Sequence, residues 1–259
     1  VDKSKENCGV YFLNKLSKDR KNELAKEVRE IVEKFYKEFP QFKNKIIPDS
    51  FEAAEELGFF IVATKAPFQL SGFTTSYGDY HLLALNSRHT KARQNYSIWH
   101  EIYHWYTGDG KEVSLSKQAE YVEAEYKAEY FAACILINEE VLKNKVSKLL
   151  MGYKNHLTNK DIFTLAHEFN SSVISMLRRI IEVTGDRSLW SRVKNIQDNE
   201  FLICKYKEFG LSTDLELPTN STYISPSLFE YLSHNLKDNR ISESRVELIV
   251  KYIEEEFNE

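Results

Sequence analysis

Residues 99–105 read Trp99-His100-Glu101-Ile102-Tyr103-His104-Trp105, which contains the spacing His-Glu-x-x-His. In a helix, residues four apart lie on one face, one turn apart along the axis, so both imidazoles can reach a single metal ion. Glu101 lies beside that ion, where its carboxylate can accept a proton from a water molecule on the metal. The stretch therefore predicts a helix that carries two histidine ligands and the general base of a zinc hydrolase.

The same spacing also occurs in proteins that bind no metal. A buried amphipathic helix can hold two histidines whose ring nitrogens are satisfied by hydrogen bonds. Catalytic zinc ordinarily has three protein ligands and one open position for water, so the zinc interpretation needs a third ligand. The choice between the two interpretations depends on whether the rest of the chain supplies it.

The composition is that of an ordinary globular protein, with 42% hydrophobic and 29% charged residues among 259. The formal net charge of -4 gives no overall attraction to nucleic acid or to an anionic membrane. The cysteines, Cys8, Cys134 and Cys204, are widely spaced, which argues against a disulfide framework and a cysteine-based zinc site. We find no apolar signal region and no run of roughly 18 apolar residues, so we expect a cytoplasmic protein without a membrane partner.

The order of the predicted elements indicates an α+β fold with a small twisted sheet backed by helices. We expect the second hairpin strand, 80–85, to lie at the sheet edge beside the metal, where an extended peptide can add as a further strand. Such an edge favours a polypeptide substrate. The expected elements up to residue 150 are helices at 17–39 and 50–58, strands at 59–64, 70–76 and 80–85, and helices at 90–108, 116–137 and 138–150.

Two short helices expected within residues 158–184 have the outline of a helix-turn-helix unit. Thr158 and Asp161 form a variant of the capping box at the start of the first helix. Near the end of the second helix the basic residues are Arg178 and Arg179, so packing inside the protein is favoured over contact with DNA. We therefore expect no direct binding of nucleic acid.

The helix expected at 116–137 supplies the acids that can complete a metal site. A row of acids on one helix is more often a solvated face. Here Glu125 lies between an apolar half-helix and the loop that returns from the metal, and Glu129 follows one turn later on the same face. Glu125 fits as a metal ligand, and Glu129 fits as an acceptor of a hydrogen bond from a ligating imidazole. The candidate acids are Glu120, Glu123, Glu125 and Glu129.

Several blocks of sequence keep a fixed order and spacing around the His-Glu-x-x-His stretch. They are Leu70-Ser71-Gly72-Phe73, Leu85-Asn86, residues 93–101, Glu125-x-x-Ala128-x-x-Phe131-Ala132-Ala133, and Leu165-Ala166-x-x-Phe169-x-x-Ser172 with Arg178-Arg179. Over roughly residues 45–185 the chain resembles the ImmA/IrrE metallopeptidases, and these blocks are more specific than the histidine motif alone.

The resemblance implies a zincin-like fold, a Zn²⁺ ion held by His100, His104 and Glu125, and Glu101 as the general base. Characterised members of that family cut a helix-turn-helix transcriptional repressor and thereby switch on stress-response or mobile-element genes. The resemblance thus implies a zinc endopeptidase whose partner is a protein substrate, with such a repressor as the expected one.

Domain organisation follows from the extent of the resemblance. We expect residues 1–187 to form the zincin-like metallopeptidase domain, which ends with the helical pair at 158–184. Residues 188–259 are expected to form a small second domain or a lid of unknown role. In this tail we expect a strand at 201–204, an irregular Ser/Thr/Pro-rich stretch at 211–226, and helices at 226–236 and 242–257.

The chain departs from the family pattern at three positions. Tyr103 stands where glycine is frequent, and we expect it to narrow the cleft. Glu129 stands where asparagine is usual and adds a charge beside the metal. Asn138 stands where proline usually follows the apolar run. None of the three departures removes a metal ligand or the general base. They therefore affect the expected identity of the substrate more than the expected reaction.

Two other interpretations stay open. In one, the protein is a non-catalytic, zinc-containing regulator that binds a repressor or a small effector through its tail. In the other, it is a metal-free relative that acts by interaction alone. The residue that stabilises the oxyanion is also open; the candidates by residue type are His89, Arg93, Tyr130 and His156, for each of which packing is the commoner role.

Overall fold

The fold is known from a computed structural model, which describes residues 16–109, 118–151, 156–192, 195–196 and 198–257. Within these ranges, eleven α-helices and four strands form an α+β fold, as the sequence predicted. The helices are α1 (Lys18–Glu38), α2 (Ser50–Glu56), α3 (Lys91–Thr107), α4 (Gln118–Leu136), α5 (Glu139–Leu150), α6 (Asn159–Glu168), α7 (Val173–Thr184), α8 (Leu189–Arg192), α9 (Asn199–Glu208), α10 (Ser227–Lys237) and α11 (Glu243–Phe257). The strands are β1 (Phe59–Thr64), β2 (Gly72–Tyr77), β3 (Tyr80–Asn86) and β4 (Tyr223–Ile224). The expected start of α4 at Ser116 lies outside the described residues.

Local sequence signals set the ends of most helices. The Ser17 hydroxyl accepts a hydrogen bond from the backbone of Arg20 at the start of α1, and the Asp49 carboxylate caps α2 in the same way. Asn138 caps α5 through the backbone N–H of Val141, which gives the unusual residue at this position a structural role. The predicted capping box of Thr158 and Asp161 at the start of α6 is confirmed.

The four strands form one mixed sheet in the order β2-β3-β1-β4. β3 pairs with β1 in parallel and with β2 in an antiparallel hairpin, so it lies inside the sheet. Our expectation that the second hairpin strand forms the edge is therefore wrong, and the edge strand is the first one, β2. The order of the strands along the chain suggests the hairpin of β2 and β3, but it does not reveal that β3 also pairs with β1 and so has a partner on each side.

One face of the sheet packs on the helices. Along β1 the side chains of Phe59, Ile61 and Ala63 are buried, in alternation with half-buried neighbours, as expected of a strand with one face on the core. The core continues into α3, where Trp99 is fully buried and donates a hydrogen bond from Nε1 to Ser50 Oγ, 3.1 Å away. This packing fixes α3 against both the sheet and α2.

The helical pair α6 and α7 packs into the same core. Arg179, one of the two basic residues noted near the end of α7, is 2% exposed and pairs with Glu182. Its guanidinium also lies 3.4 Å from the carbonyl oxygen of Ile137. A side chain buried in this way is part of the protein interior and cannot reach a DNA backbone.

The tail differs from the sequence expectation in one element and extends the sheet with another. Residues 201–204 lie within helix α9, so the predicted strand is wrong: Asp198 caps this helix, and Leu202 and Tyr206 are buried one turn apart. Farther on, β4 pairs antiparallel with β1 and becomes the second edge of the sheet. The helices expected near 226–236 and 242–257 are confirmed as α10 and α11. Among the described residues, none of the helices has the length and apolar character needed to cross a membrane.

Candidate metal centre

Helix α3 presents the two histidines of the motif side by side. The Thr90 hydroxyl accepts a hydrogen bond from the backbone of Arg93 at its start, and Gly108 ends it with a φ of 75°, a left-handed conformation that favours glycine. The Nε2 atoms of His100 and His104 lie 3.2 Å apart. Both imidazoles therefore point to one spot beside the helix.

Glu125 on α4 completes this cluster. Its two carboxylate oxygens lie 3.3 Å from His100 Nε2 and 3.4 Å from His104 Nε2. Ligands that surround zinc as a tetrahedron at about 2.0–2.1 Å are separated from each other by about 3.4 Å. The two imidazole nitrogens are close to this spacing, each has a Glu125 oxygen at a similar distance, and one ligand atom from each of the three residues lies within 4.8 Å of the others, so they form a group that could hold a metal ion.

Hydrogen bonds to the far side of His104 fix its orientation. His104 Nδ1 lies 2.7 Å from the carbonyl oxygen of Asp109, so Nδ1–H donates there and Nε2 keeps a free lone pair. Tyr103 is fully buried and donates its hydroxyl to Asp109 Oδ2 at 2.8 Å. Our expectation that Tyr103 narrows the cleft is wrong, because its side chain is directed into the core and holds the Asp109 loop.

The electrostatics of the cluster favour an anionic Glu125. Desolvation raises the pKa of its carboxyl, but the hydrogen bonds and charges of His100 and His104 outweigh that effect and hold the pKa at about 2. Two opposing effects also act on His104. Burial lowers the pKa of its imidazole, but the hydrogen bonds to Glu125 and Asp109 outweigh that effect and raise the pKa above its ordinary value. A carboxylate and two imidazoles held this close form an environment suited to a cation.

Glu101 lies next to the cluster and faces the start of β2. Desolvation raises the pKa of its carboxyl above the ordinary value, while the histidines and a hydrogen bond from the backbone of Thr74 partly offset this. A Cβ at Gly72 would lie 3.7 Å from Glu101 Cγ and only 2.7 Å from the carbonyl oxygen of Ala84. Gly72 therefore allows β2 to lie close to the backbone of β3 at the point where β2 passes Glu101, and the raised pKa of Glu101 suits a carboxylate that accepts a proton.

Glu129 lies one turn after Glu125 on α4, as the sequence predicted. Its backbone carbonyl accepts a hydrogen bond from the Tyr96 hydroxyl at 2.5 Å. Desolvation raises the pKa of its side chain, partly offset by the charge of His100. Among the described residues, no hydrogen bond joins the Glu129 carboxylate to either imidazole, so its role as their acceptor stays a prediction.

Three of the four candidates for oxyanion stabilisation have other partners, and the fourth, His156, is exposed. His89 is buried, with Nε2 2.9 Å from the carbonyl oxygen of Phe68, and the Tyr130 hydroxyl donates to Glu182 on α7. Arg93 donates to Ser71 Oγ at 3.0 Å, immediately before the edge strand. The residue that sequence reasoning missed is Asp109, whose Gly-Asp-Gly context predicted the end of a helix and not the support of a ligand.

Comparison with known proteins agrees with this geometry. Residues 54–180 match the family model Peptidase_M78, described as the IrrE N-terminal-like domain, and a search of curated proteins finds no match. The matched segment contains both histidines, Glu101 and Glu125. A peptidase family implies a protein substrate, and the histidine and glutamate cluster is compatible with a metallopeptidase. Residues 54–180 thus match an IrrE N-terminal-like domain of the Peptidase_M78 type, which is consistent with an ImmA/IrrE-family metallopeptidase.

Proposed function

We propose that the protein is a zinc-dependent endopeptidase, with His100, His104 and Glu125 as the metal ligands and Glu101 as the general base. The observation that carries the proposal is the convergence of two imidazole nitrogens, 3.2 Å apart, with the Glu125 carboxylate, whose two oxygens lie 3.3 and 3.4 Å from them, beside a desolvated carboxylate. Two imidazoles and one carboxylate are a ligand set of known zinc hydrolases. A zinc ion in this site would supply Lewis acidity, which acidifies a water molecule and polarises a peptide carbonyl.

Glu101 performs the proton transfers in this proposal. Its carboxylate accepts the proton of the attacking water and then delivers it to the nitrogen of the departing amine. The raised pKa brings Glu101 closer to the range in which one group can do both. His104 stays in place during these steps because its Nδ1–H is held by the Asp109 carbonyl.

The free edge of β2 is the natural place for an extended substrate. β2 pairs with β3 on one side, and within the described sheet its other side has no neighbouring strand. An edge strand offers unpaired backbone groups to a peptide, which can add as a further strand. Since Gly72 and Thr74 of this strand adjoin Glu101, such a peptide would pass the catalytic carboxylate.

We extend the proposal to the substrate and to the cellular compartment in which the protein acts. The sequence resemblance to repressor-cleaving peptidases supports a helix-turn-helix transcriptional repressor as the protein substrate, and the free strand edge is compatible with an unfolded or extended segment of it. The composition and the widely spaced cysteines support action in the cytoplasm, a reducing compartment.

The test is Glu101→Gln in the full chain. We expect about one zinc per chain to remain, because Glu101 is not a ligand, and cleavage of a repressor substrate to fall by about 10²–10⁴-fold. Metal analysis and single-turnover cleavage measure the two quantities. Glu30→Gln, at an exposed position of α1, is the matched control and should change neither.

Two results would contradict the proposal. Undiminished cleavage by the Glu101→Gln protein would remove Glu101 from the reaction. Normal relief of repression by that protein in cells, together with retained zinc, would instead support a regulator that acts by binding.

A further inference from the structure

A cavity lies at the point where the tail meets α3 and α7, and its lining contains none of the proposed metal ligands and not Glu101. Its volume is about 390 Å³, within the range of small-molecule sites. It adjoins the first turns of α3 and α7 and includes two residues of α9 and one of the short 3-10 helix Asp214–Glu216. The residues used below are Thr90, Tyr96, Ser172, Ser175, Leu202 and Glu216.

Glu216 is the unusual member of this lining. It is 4% exposed, and its Oε1 atom has no hydrogen-bond partner among the described residues. Burial of an ionised carboxylate without a partner is expensive, so such groups in native proteins call for an explanation. The Tyr206 hydroxyl nearby is also buried and without a partner among the described residues.

No cation of the described chain compensates Glu216. Burial raises the pKa of its carboxyl to about 7, and no neighbouring positive charge counteracts that effect. Arg93, the charged residue that also adjoins the cavity, donates to Ser71 Oγ and lies over the ring of Phe68, 5.8 Å from its centroid. The Oε1 atom of this carboxylate is therefore a hydrogen-bond acceptor to which no described residue donates.

The other polar groups around the cavity already have partners. Thr90 Oγ1 accepts from the backbone of Arg93, and Ser172 Oγ donates to Ser175 Oγ at 2.9 Å. The Tyr96 hydroxyl donates to the carbonyl of Glu129. Glu216 thus stands out as a buried acceptor without a partner among the described residues, whereas Asn199 is exposed, and the apolar side chains of the lining are Ala92, Ile174 and Leu202.

We propose that this cavity binds a small organic cation, an alkyl amine or guanidine whose N–H donors are accepted by Glu216. A cationic head group supplies both the donor and the charge that the buried carboxylate lacks. An alkyl stem of a few carbons fits the apolar part of the lining and a volume of this size.

The position of the cavity connects it to both helices of the metal centre. Thr90 is the cap of α3, and Tyr96 reaches from α3 to the backbone of Glu129 on α4. An occupant would therefore contact the cap of α3 and Tyr96, the residue that joins α3 to α4. Binding itself does not depend on the proposed peptidase activity, so the two proposals are tested separately.

The experiment measures binding of n-butylammonium and N-butylguanidinium to the full chain by calorimetry, at about pH 8, where Glu216 is ionised. n-Butanol and butyrate are the neutral and anionic probes of equal size. We expect both cations to bind at least about tenfold more tightly than either control, as a charge-assisted hydrogen bond predicts.

Three variants locate the site. Glu216→Gln should abolish the preference for cations, and Ser175→Trp should block the cavity without touching the carboxylate. Glu200→Gln, an exposed acid of α9, is the matched control and should leave binding unchanged. Equal binding of butanol and the cations, or a preference for cations that survives both Glu216→Gln and Ser175→Trp, would overturn the proposal.

Discussion

At the scale of single residues, Tyr103 shows how one of the two intervening positions of His-Glu-x-x-His supports the proposed metal site. Its hydroxyl holds the Asp109 carboxylate, and the Asp109 carbonyl holds His104 Nδ1. Removing the hydroxyl frees the loop that fixes the imidazole. Groups that orient a metal ligand in this way are commonly worth 10–100-fold in metal affinity.

We predict that Tyr103→Phe weakens zinc binding by about tenfold, because His104 is less well oriented. A competition titration against a chelator measures the affinity. Tyr106→Phe, which removes a hydroxyl bound to Glu38 on the outside of the same helix, is the control and should have no effect. Equal zinc affinity of the Tyr103→Phe and wild-type proteins would show that Asp109 needs no such support.

Glu216 gives a prediction about pH. Its pKa is about 7 in the folded protein against an ordinary value of 4.5, so the folded state binds the proton more tightly than the unfolded state. Stability is therefore lowered above about pH 7, and the loss disappears as pH falls toward 4.5. The difference between the two pKa values corresponds to about 3 kcal/mol at most.

We expect Glu216→Gln to raise the free energy of unfolding near pH 8 and to change it little near pH 5. Urea unfolding at the two pH values, in the absence of amines, measures the difference. Glu200→Gln serves as the control for removal of an acid from the tail. A Glu216→Gln effect of the same size at both pH values would contradict the assigned direction.

Site residues differ in how far the sequence reveals them. His100, His104 and Glu125 share a spacing that side-chain chemistry explains, so the sequence alone is enough to recognise them as candidates. Asp109 acts on His104 through its backbone carbonyl, which every residue possesses, so the amino-acid type carries no signal. Glu216 is distinctive because of its burial, which is decided by tertiary packing and not by its neighbours in the chain.

At the scale of elements, the helix ends and strands near the metal were predictable from local rules. Caps such as Thr90 and turn residues such as Gly108 act within one turn of their helix. The helix at 199–208 was missed because Phe201 to Cys204 forms an apolar run, and such a run does not distinguish a strand from a short helix. Strand order was missed because it depends on long-range pairing.

At the scale of elements, the prediction concerns the edge strand β2. A Cβ at Gly72 would lie 2.7 Å from the carbonyl oxygen of Ala84, so β2 must shift relative to β3 at the point where it passes Glu101. We expect Gly72→Ala to destabilise the protein by about 1–3 kcal/mol and to lower peptidase activity more than stability alone explains. Thermal unfolding and cleavage assays measure the two effects.

Thr75→Ala, at an exposed position of the same strand, is the matched control for Gly72→Ala and should be nearly neutral. A Gly72→Ala protein with full activity would show that close approach of β2 to Glu101 is dispensable.

At the scale of the whole molecule, the tail is joined to the sheet by buried hydrogen bonds. The backbone N–H of Ile61 donates to Ser225 Oγ at 2.7 Å, and the N–H of Ser225 donates back to the carbonyl of Ile61 at 2.9 Å. The side chain of Ser225 is fully buried. These contacts tie residues beyond the family domain to its central strand.

We predict that Ser225→Ala destabilises the protein by about 1–3 kcal/mol, because the N–H of Ile61 then lacks a partner in the core. Chemical unfolding measures this loss of stability. The unfolding transitions reported by the tail and by α3 should shift together. Ser221→Ala, exposed in the same segment, is the control. If the unfolding transition reported by the tail shifts and the transition reported by α3 does not, the tail unfolds independently.

The position of β4 also has a consequence for how the chain is made. Translation delivers β1 and the start of α3 long before residues 217–225, yet the backbone N–H of Lys91 on α3 donates to the carbonyl of Leu217, and β1 pairs with β4. A nascent chain interrupted before residue 217 would leave that edge of β1 uncovered and free to pair with another chain. Ribosomal stalling in the tail should therefore yield aggregating fragments in place of a stable, shorter peptidase.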